Sequence, residues 1–280
     1  MEKRDPNIPK SLLLGLKVTQ TIAPNLAYKK ALKYFFTPVK FPITEEEFLY
    51  KSALPIHREK VNDKKITTYI NGEAPFKVLL VHGWSGRISQ FMTLGNTLKE
   101  KGISHISFTA PAHGSSSDKR SHMLEFAESI EYLNRIYGPF DSIIGHSLGA
   151  TATMNAIKIH GVKPKKVVLI GAHATVQQTI KDFCTKLQLN ETIENKLIRH
   201  LKKNYHEDYE QYSIQRIAGE FDVEALIVHD KLDKQAEYFN AEAIHDAFNN
   251  SKLLTTEGLG HVRILNDSEV VNQIVDFVKF

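Results

Sequence analysis

At 280 residues, with 42% hydrophobic and 24% charged side chains, the chain suits one large globular domain or a core with a modest insertion, and composition excludes a disordered segment. Its 36 basic and 32 acidic residues leave a net charge of +4, and the two signs interleave instead of forming the basic stripe that nucleic-acid binding needs. The single cysteine, Cys184, excludes an intrachain disulfide and a multi-cysteine metal site, which fits a reducing, cytoplasmic setting.

In chain order, residues 10–17 (KSLLLGLK) carry a short apolar stretch that Lys17 interrupts. No small-residue cleavage site follows, so the stretch does not read as a secretory signal. Residues 26–36 (LAYKKALKYFF) set Lys29, Lys30 and Lys33 among aromatic side chains. That pattern suits a membrane-surface helix, or a terminal helix packing its apolar stripe on the core or a partner; the second reading is preferred. No run of 18 or more apolar residues occurs, so no transmembrane segment is expected. Residues 1–55 are expected to form an N-terminal helical extension.

From about residue 56 the pattern becomes regular. Residues 57–61 and 65–70 read as a lead-in hairpin turning at Asn62-Asp63. Residues 77–81, 103–108, 142–144, 166–170 and 225–228 are short, β-rich and mostly apolar on both faces, as strands of a buried parallel sheet are. Residues 253–256 read as a last strand. Between them, Ser121 is placed to cap a helix running to Tyr137, with Leu124, Ala127, Ile130 and Leu133 on one stripe and Gly138-Pro139 ending it. The last helix starts near Asp267 and buries Val270, Val271, Ile274 and Val278. Alternating strand and helix predict a doubly wound α/β sheet. One interval, from Gly171 to Val223, is far longer than an ordinary crossover and shows helical spacing at Ile193, Leu197 and Leu201. Residues 172–219 are therefore expected to be a helical insertion in a core of residues 56–171 plus 220–280. The densest basic patch, Arg199-His200-Leu201-Lys202-Lys203, reads as a solvated helix face.

The stretch IIGHSLGAT, residues 143–151, sets a serine between Gly145 and Gly149, after an apolar strand and before a helix with Ala150, Ala152 and Ala156. A strand ending at Ile144 and a helix starting at Ser147 force a turn so sharp that the pivot takes a strained backbone conformation. Glycines on both sides remove the side chains that would collide there. The hydroxyl is thrust above the sheet, beside the positive end of the helix. To act as a nucleophile it needs a base, and the base needs an orienting group.

Downstream, His261 in Leu259-Gly260-His261 follows the last strand, on the carboxyl edge where ligands of open α/β sheets collect. The run ending at Val228 delivers His229-Asp230-Lys231-Leu232-Asp233 to the same edge. Asp233 is the preferred orienter, because three further residues let its carboxylate reach round to an imidazole. Asp230, nearest the strand end, is expected to cap or brace the loop. A tetrahedral intermediate also needs donors for its oxyanion. In His82-Gly83-Trp84-Ser85-Gly86-Arg87, Gly83 would let the backbone approach the substrate, and the Trp84 N–H would pair with that of Leu148. The Trp84 indole reads as a pocket wall, His82 and His146 as structural or pocket-lining, and His113 as a loop brace. The 13 histidines contain no HExxH and no paired metal-ligand spacing, so no metal is expected.

These residues resemble the α/β-hydrolase superfamily over residues 56–171 and 220–280: HGW at 82–84, PAHGSS at 111–116, GHSLG at 145–149, HDKLD at 229–233 and GLGH at 258–261. The resemblance implies a mostly parallel eight-stranded sheet flanked by helices, no cofactor, and a helical cap inserted after the sixth strand, which matches 172–219. It implies Ser147 as nucleophile, His261 as base, Asp233 as its orienter, and Trp84 and Leu148 as oxyanion donors. Serine at 147 disfavours the members with an aspartate nucleophile, the haloalkane dehalogenases and epoxide hydrolases. Relatives often carry an aspartate followed by G-x-G where this chain has Ala110-Pro111-Ala112-His113-Gly114-Ser115, so that loop assigns no subfamily. The expected function is a serine hydrolase that cleaves a small-molecule carboxylic ester through an acyl-enzyme, with an apolar group under the cap. Thioester, lactone, amide or C–C hydrolysis, acyl transfer, and ligand binding with little turnover are the alternatives.

Overall fold

The computed structural model describes residues 8–114, 116 and 118–279; residues 1–7 of the N-terminal extension and Ser115 of the PAHGSS motif lie outside the described residues. Eight strands form one sheet: β1 (Ile56–Val61), β2 (Lys64–Asn71), β3 (Lys77–Val81), β4 (Ser104–Thr109), β5 (Ser142–His146), β6 (Lys166–Ile170), β7 (Glu224–Asp230) and β8 (Ser251–Thr256). Their spatial order is β1-β2-β4-β3-β5-β6-β7-β8. The β1–β2 hairpin turns through Asn62 at φ 51°, and β2 pairs antiparallel with β4. Every other pairing is parallel, and β4 and β5 are buried along their whole length. Register brings Val81 opposite Gly145, and Ile170 opposite both His146 and Val228, so the carboxyl ends of the central strands share one edge.

Helices α1 (Lys10–Ile22), α2 (Pro24–Phe35) and α3 (Glu45–Ser52) precede the sheet, α4 (Met92–Glu100) follows β3, and α5 (Met123–Tyr137) and α6 (Leu148–His160) flank β5. Between β6 and β7 lie α7 (Val176–Lys186), α8 (Glu191–Asn204) and the single turn α9 (Ile214–Ile217); α10 (Phe239–Ala247), α11 (Gly260–Arg263) and α12 (Ser268–Lys279) complete the chain. Alternation along β3 separates the two cores. Val78 and Leu80 pack under α4 and α12, whereas Leu79 and Val81 pack under α5 and α6. Asp267 caps α12, its carboxylate accepting from the Glu269 and Val270 N–H. No helix among the described residues is long and apolar enough to cross a membrane.

Three local expectations are corrected. The N-cap of α5 is His122, not Ser121, because the Ser121 N–H is drawn 3.0 Å from the Phe36 carbonyl, in a tertiary contact that moves it off the capping position. The buried stripe of α5 runs through Phe126, Ala127, Ile130 and Leu133, leaving Leu124 half-buried. Nor is residues 199–203 a wholly solvated face: His200 Nδ1 meets the Tyr28 hydroxyl at 3.1 Å, and Leu201 packs inward with α2.

That last contact belongs to a larger one. Ala27 and Ala31 of α2 are fully buried against Ile180, Cys184, Ile193 and Leu197 of α7 and α8, so the N-terminal helices build onto the inserted ones. The Gln20 side chain ties α1 to the α7–α8 turn, donating to the Gln188 carbonyl at 3.0 Å and accepting from the Asn190 N–H at 2.7 Å. The strap from α2 to α3 is pinned by Arg87, which donates to the Phe41 and Pro42 carbonyls and pairs with buried Glu47.

Ala31→Leu overfills the α2 contact and should cost about 1–3 kcal/mol, read as a lowered urea midpoint; an unchanged midpoint contradicts the contact. Burial pushes His82 and His105 down to about 4, and His113 and His146 to about 3, from an ordinary 6.5. Folded values below unfolded ones mean that the stability these neutral rings contribute is complete above pH 6.5 and lost as pH falls toward the folded values. The urea midpoint should therefore decline between pH 7 and pH 5, before most carboxylates titrate; a flat midpoint there contradicts the burial of neutral imidazoles.

Candidate active site

Ser147 sits between β5 and α6 at φ 53° and ψ −120°, a conformation that costs a non-glycine residue about 1–3 kcal/mol. Its N–H donates to the Ile170 carbonyl at 2.8 Å, which fixes the turn to the neighbouring strand. A Cβ at Gly145 would lie 2.6 Å from the Gly149 carbonyl oxygen, and one at Gly149 would press on the carbonyl oxygens of Val81 and His82. Gly83 answers to the same turn. A Cβ there would come within 2.9 Å of the Ser147 Cβ, so the lack of a side chain lets this turn approach the elbow closely.

On the facing loops, His261 Nδ1 donates to Asp233 Oδ2 at 2.7 Å. The other oxygen of that carboxylate accepts from the Gln235 and Ala236 N–H at 2.7 and 3.1 Å. Burial alone would raise the Asp233 carboxyl; the bonds from His261 and the two N–H groups outweigh it and hold the carboxyl below its ordinary value. Buried His229 stands beside the pair, with Nε2 donating to the Ala236 carbonyl at 2.8 Å and lying 3.6 Å from Asp233 Oδ2.

Asp230 has other work. Its oxygens accept from the Leu232, Gly258 and Leu259 N–H and from the Thr256 hydroxyl, at 2.7 to 3.2 Å. Both oxygens are thus committed to bracing the loop that leads into His261, and none of these bonds comes from an imidazole. Burial would raise this carboxyl too, and the same bonds keep it low.

His82, His113 and His146 are braces. His82 Nδ1 donates to the Gly83 carbonyl while Nε2 accepts from the Ala110 N–H; His113 Nδ1 donates to the Pro111 carbonyl while Nε2 accepts from the Ser85 N–H. Together they hold the turn that carries Trp84. His146 Nε2 donates to the His261 carbonyl at 2.9 Å, with the two rings 4.6 Å apart. A neutral imidazole thereby positions the backbone of the other one, a link that no spacing in the sequence signals.

Ser147 lies between two cavities. A polar one of about 150 Å³ is lined by Trp84, Arg87, Gln90, His146, Ser147 and His261. An apolar one of about 250 Å³ is lined by Trp84, Ser147 and Leu148 together with Phe36, Phe183 and Tyr205. The latter three come from the α2 end, α7 and the α8 end, and no motif in the sequence marked them as cavity-lining. His173, at the same wall, joins the core to α7 through Asp182 at 2.9 Å. Among the described residues no group of three or more His, Cys, Asp or Glu could hold a metal ion.

Known proteins bear on this geometry. The family model for the alpha/beta hydrolase family matches residues 78–183, and one described as TAP-like protein matches residues 204–278. A bacterial membrane phospholipase A superposes with a TM-score of 0.66 at 14% identity, covering 97% of this chain and 99% of that chain. The esterase EaEST from Exiguobacterium antarcticum gives 0.61 at 21% identity, over 80% of this chain and 99% of its own. The thioesterase domain from the Curacin biosynthetic pathway gives 0.60 at 15% identity, over 81% and 100%. No curated protein matches the chain. At such identities the likeness is one of fold. The two family matches, the eight-stranded mostly parallel sheet and these neighbours together establish that the chain belongs to the α/β-hydrolase superfamily.

Proposed function

We propose that the protein is a serine hydrolase that cleaves a carboxylic ester through an acyl-enzyme, with Ser147 as nucleophile, His261 as base and Asp233 as orienter. The observation that carries this reading is the 2.7 Å bond between His261 and Asp233 beside a strained serine that lines the same cavity as His261. In this scheme residues 56–171 and 220–280 form the catalytic core and residues 172–219 the cap, to which the N-terminal extension adds α1 and α2.

Because Nδ1 of His261 is spent on Asp233, its Nε2 is the lone pair left to take the Ser147 proton. The serine oxygen bonds to the ester carbonyl carbon, and the carbonyl electrons move onto oxygen. The N–H groups of Trp84 and Leu148 donate to that oxyanion, the second from the first residue of α6, where the helix end is positive. Asp233 stays ionised and stabilises the imidazolium. Collapse breaks the bond to the alkoxide, which leaves with the proton from Nε2. Water then gives its proton to Nε2 as it attacks the acyl-enzyme, and the acid departs as the serine recovers its hydrogen. The apolar cavity suits an acyl or alkyl group, and the polar one suits the leaving alcohol and the entering water.

Ser147→Ala should lower kcat on p-nitrophenyl esters by at least about 10³ and abolish labelling by a fluorophosphonate, with the thermal midpoint retained. Folded wild type that neither labels nor turns over esters, while remaining inert to thioesters, lactones and amides, overturns the proposal in favour of a binding protein. Leu201→Trp narrows the apolar cavity and should reduce kcat/KM for an octanoyl ester at least about tenfold, while the acetyl ester changes less than about threefold. Equal losses on both esters would remove the acyl group from that cavity.

A further inference from the structure

Large apolar side chains left in water are unevenly spread over this molecule. Among the described residues, 8 of the 13 exposed ones lie between residues 14 and 49. Three of them, Leu14, Val18 and Ile22, are 63%, 48% and 76% exposed and recur every four residues, so they share one face of α1. Leu26, in the first turn of α2, is 50% exposed as well. The opposite side of α1 is already satisfied, since Leu16 and Gln20 are buried there and Gln20 is bonded to the α7–α8 turn.

Charge within this segment of the sequence has one sign. From residue 8 to residue 44 the sequence holds Lys10, Lys17, Lys29, Lys30, Lys33 and Lys40 and no acidic residue, and all six lysines are exposed. An aliphatic stripe calls for an apolar medium, and the lysines of the same two helices call for anions at its edge. The headgroup boundary of an anionic bilayer supplies both at once, at the depth an interfacial helix reaches. An acidic protein surface would match the lysines and leave Leu14, Val18 and Ile22 without a partner.

We propose that the outer face of α1, with the start of α2, docks on an anionic lipid bilayer. This differs from the sequence-level membrane reading of residues 26–36, whose apolar side is consumed by the cap through Ala27 and Ala31. Docking would hold the cap against the membrane through the same helix pair that ends in the cavity-lining Phe35 and Phe36. The inference goes beyond the ester hydrolase reading and needs no turnover to be tested.

The full chain would be sedimented with vesicles of phosphatidylcholine alone and of an equimolar mixture with phosphatidylglycerol. Wild type should pellet with the mixed vesicles, weakly with the neutral ones, and less as salt is raised. The triple variant L14Q/V18Q/I22Q should lose at least about tenfold in partitioning, and K10Q/K17Q/K29Q/K30Q should lose the preference for the anionic mixture, both with unchanged circular dichroism and thermal midpoint. Wild type that stays in the supernatant with both vesicles, or a triple variant that pellets like wild type, overturns the proposal. So does a wild-type dimer in vesicle-free buffer that the triple variant converts to monomer, which would assign the stripe to a second copy of the chain. Loss of the hydrolase reading would leave these binding results unaffected.

Discussion

With Gly145 opposite Val81 and His146 opposite Ile170, the chain leaving β5 has no lateral room, and the helix after it must start over the backbone of β3. Contact there is between main chains: positions 145 and 149 admit no Cβ, and position 83 would drive one into Ser147 itself. Interiors packed at crystal density do not yield by a methyl group, so the turn has one solution. The positive φ of Ser147 is the local cost of that solution, and the bond to the Ile170 carbonyl helps to offset it. Everything above the sheet edge is placed relative to this fixed point.

The carboxyl ends of β7 and β8 then set the opposing loops at the same edge. Two aspartates three residues apart divide the labour through geometry. Asp230 ends β7 and is saturated by four donors, Leu232 from the loop that follows it and Thr256, Gly258 and Leu259 from the end of β8 and the loop into His261; Asp233 lies where the chain has already turned, with one oxygen facing His261. Around them, burial keeps His82, His113 and His146 neutral, so each can act as both donor and acceptor. Neutral imidazoles hold the Trp84 turn and the His261 backbone without adding charge to the chemistry below.

The cap is a joint product of two distant segments. Helices α7 and α8 present an apolar face that α2 covers with alanines small enough to let the helices approach. Phe36 is thereby carried to the cavity wall, where it stacks on Tyr205 and meets His122 edge-on. Cavity shape in this protein therefore depends on the N-terminal helices as much as on the inserted ones.

Within the sequence, what could be read was governed by short-range rules. Short β-rich apolar runs located the strands and period-3.6 patterns several of the helices, steric limits around a serine between two glycines marked the elbow, and the order Ser147, Asp233, His261 marked the candidate site. What the tertiary structure decided involves residues far apart in the chain. The Gln20 tie to the α7–α8 turn spans 168 positions and the His146 bond to the His261 carbonyl spans 115, while Ser121 gave up its capping place to a carbonyl at Phe36. Local patterns report which face of an element is apolar; they carry no record of which other element will bury it. That choice falls to the sum of packing over the whole fold, and it is there that the cavities, the braces around His261 and the exposed apolar face of α1 came into being.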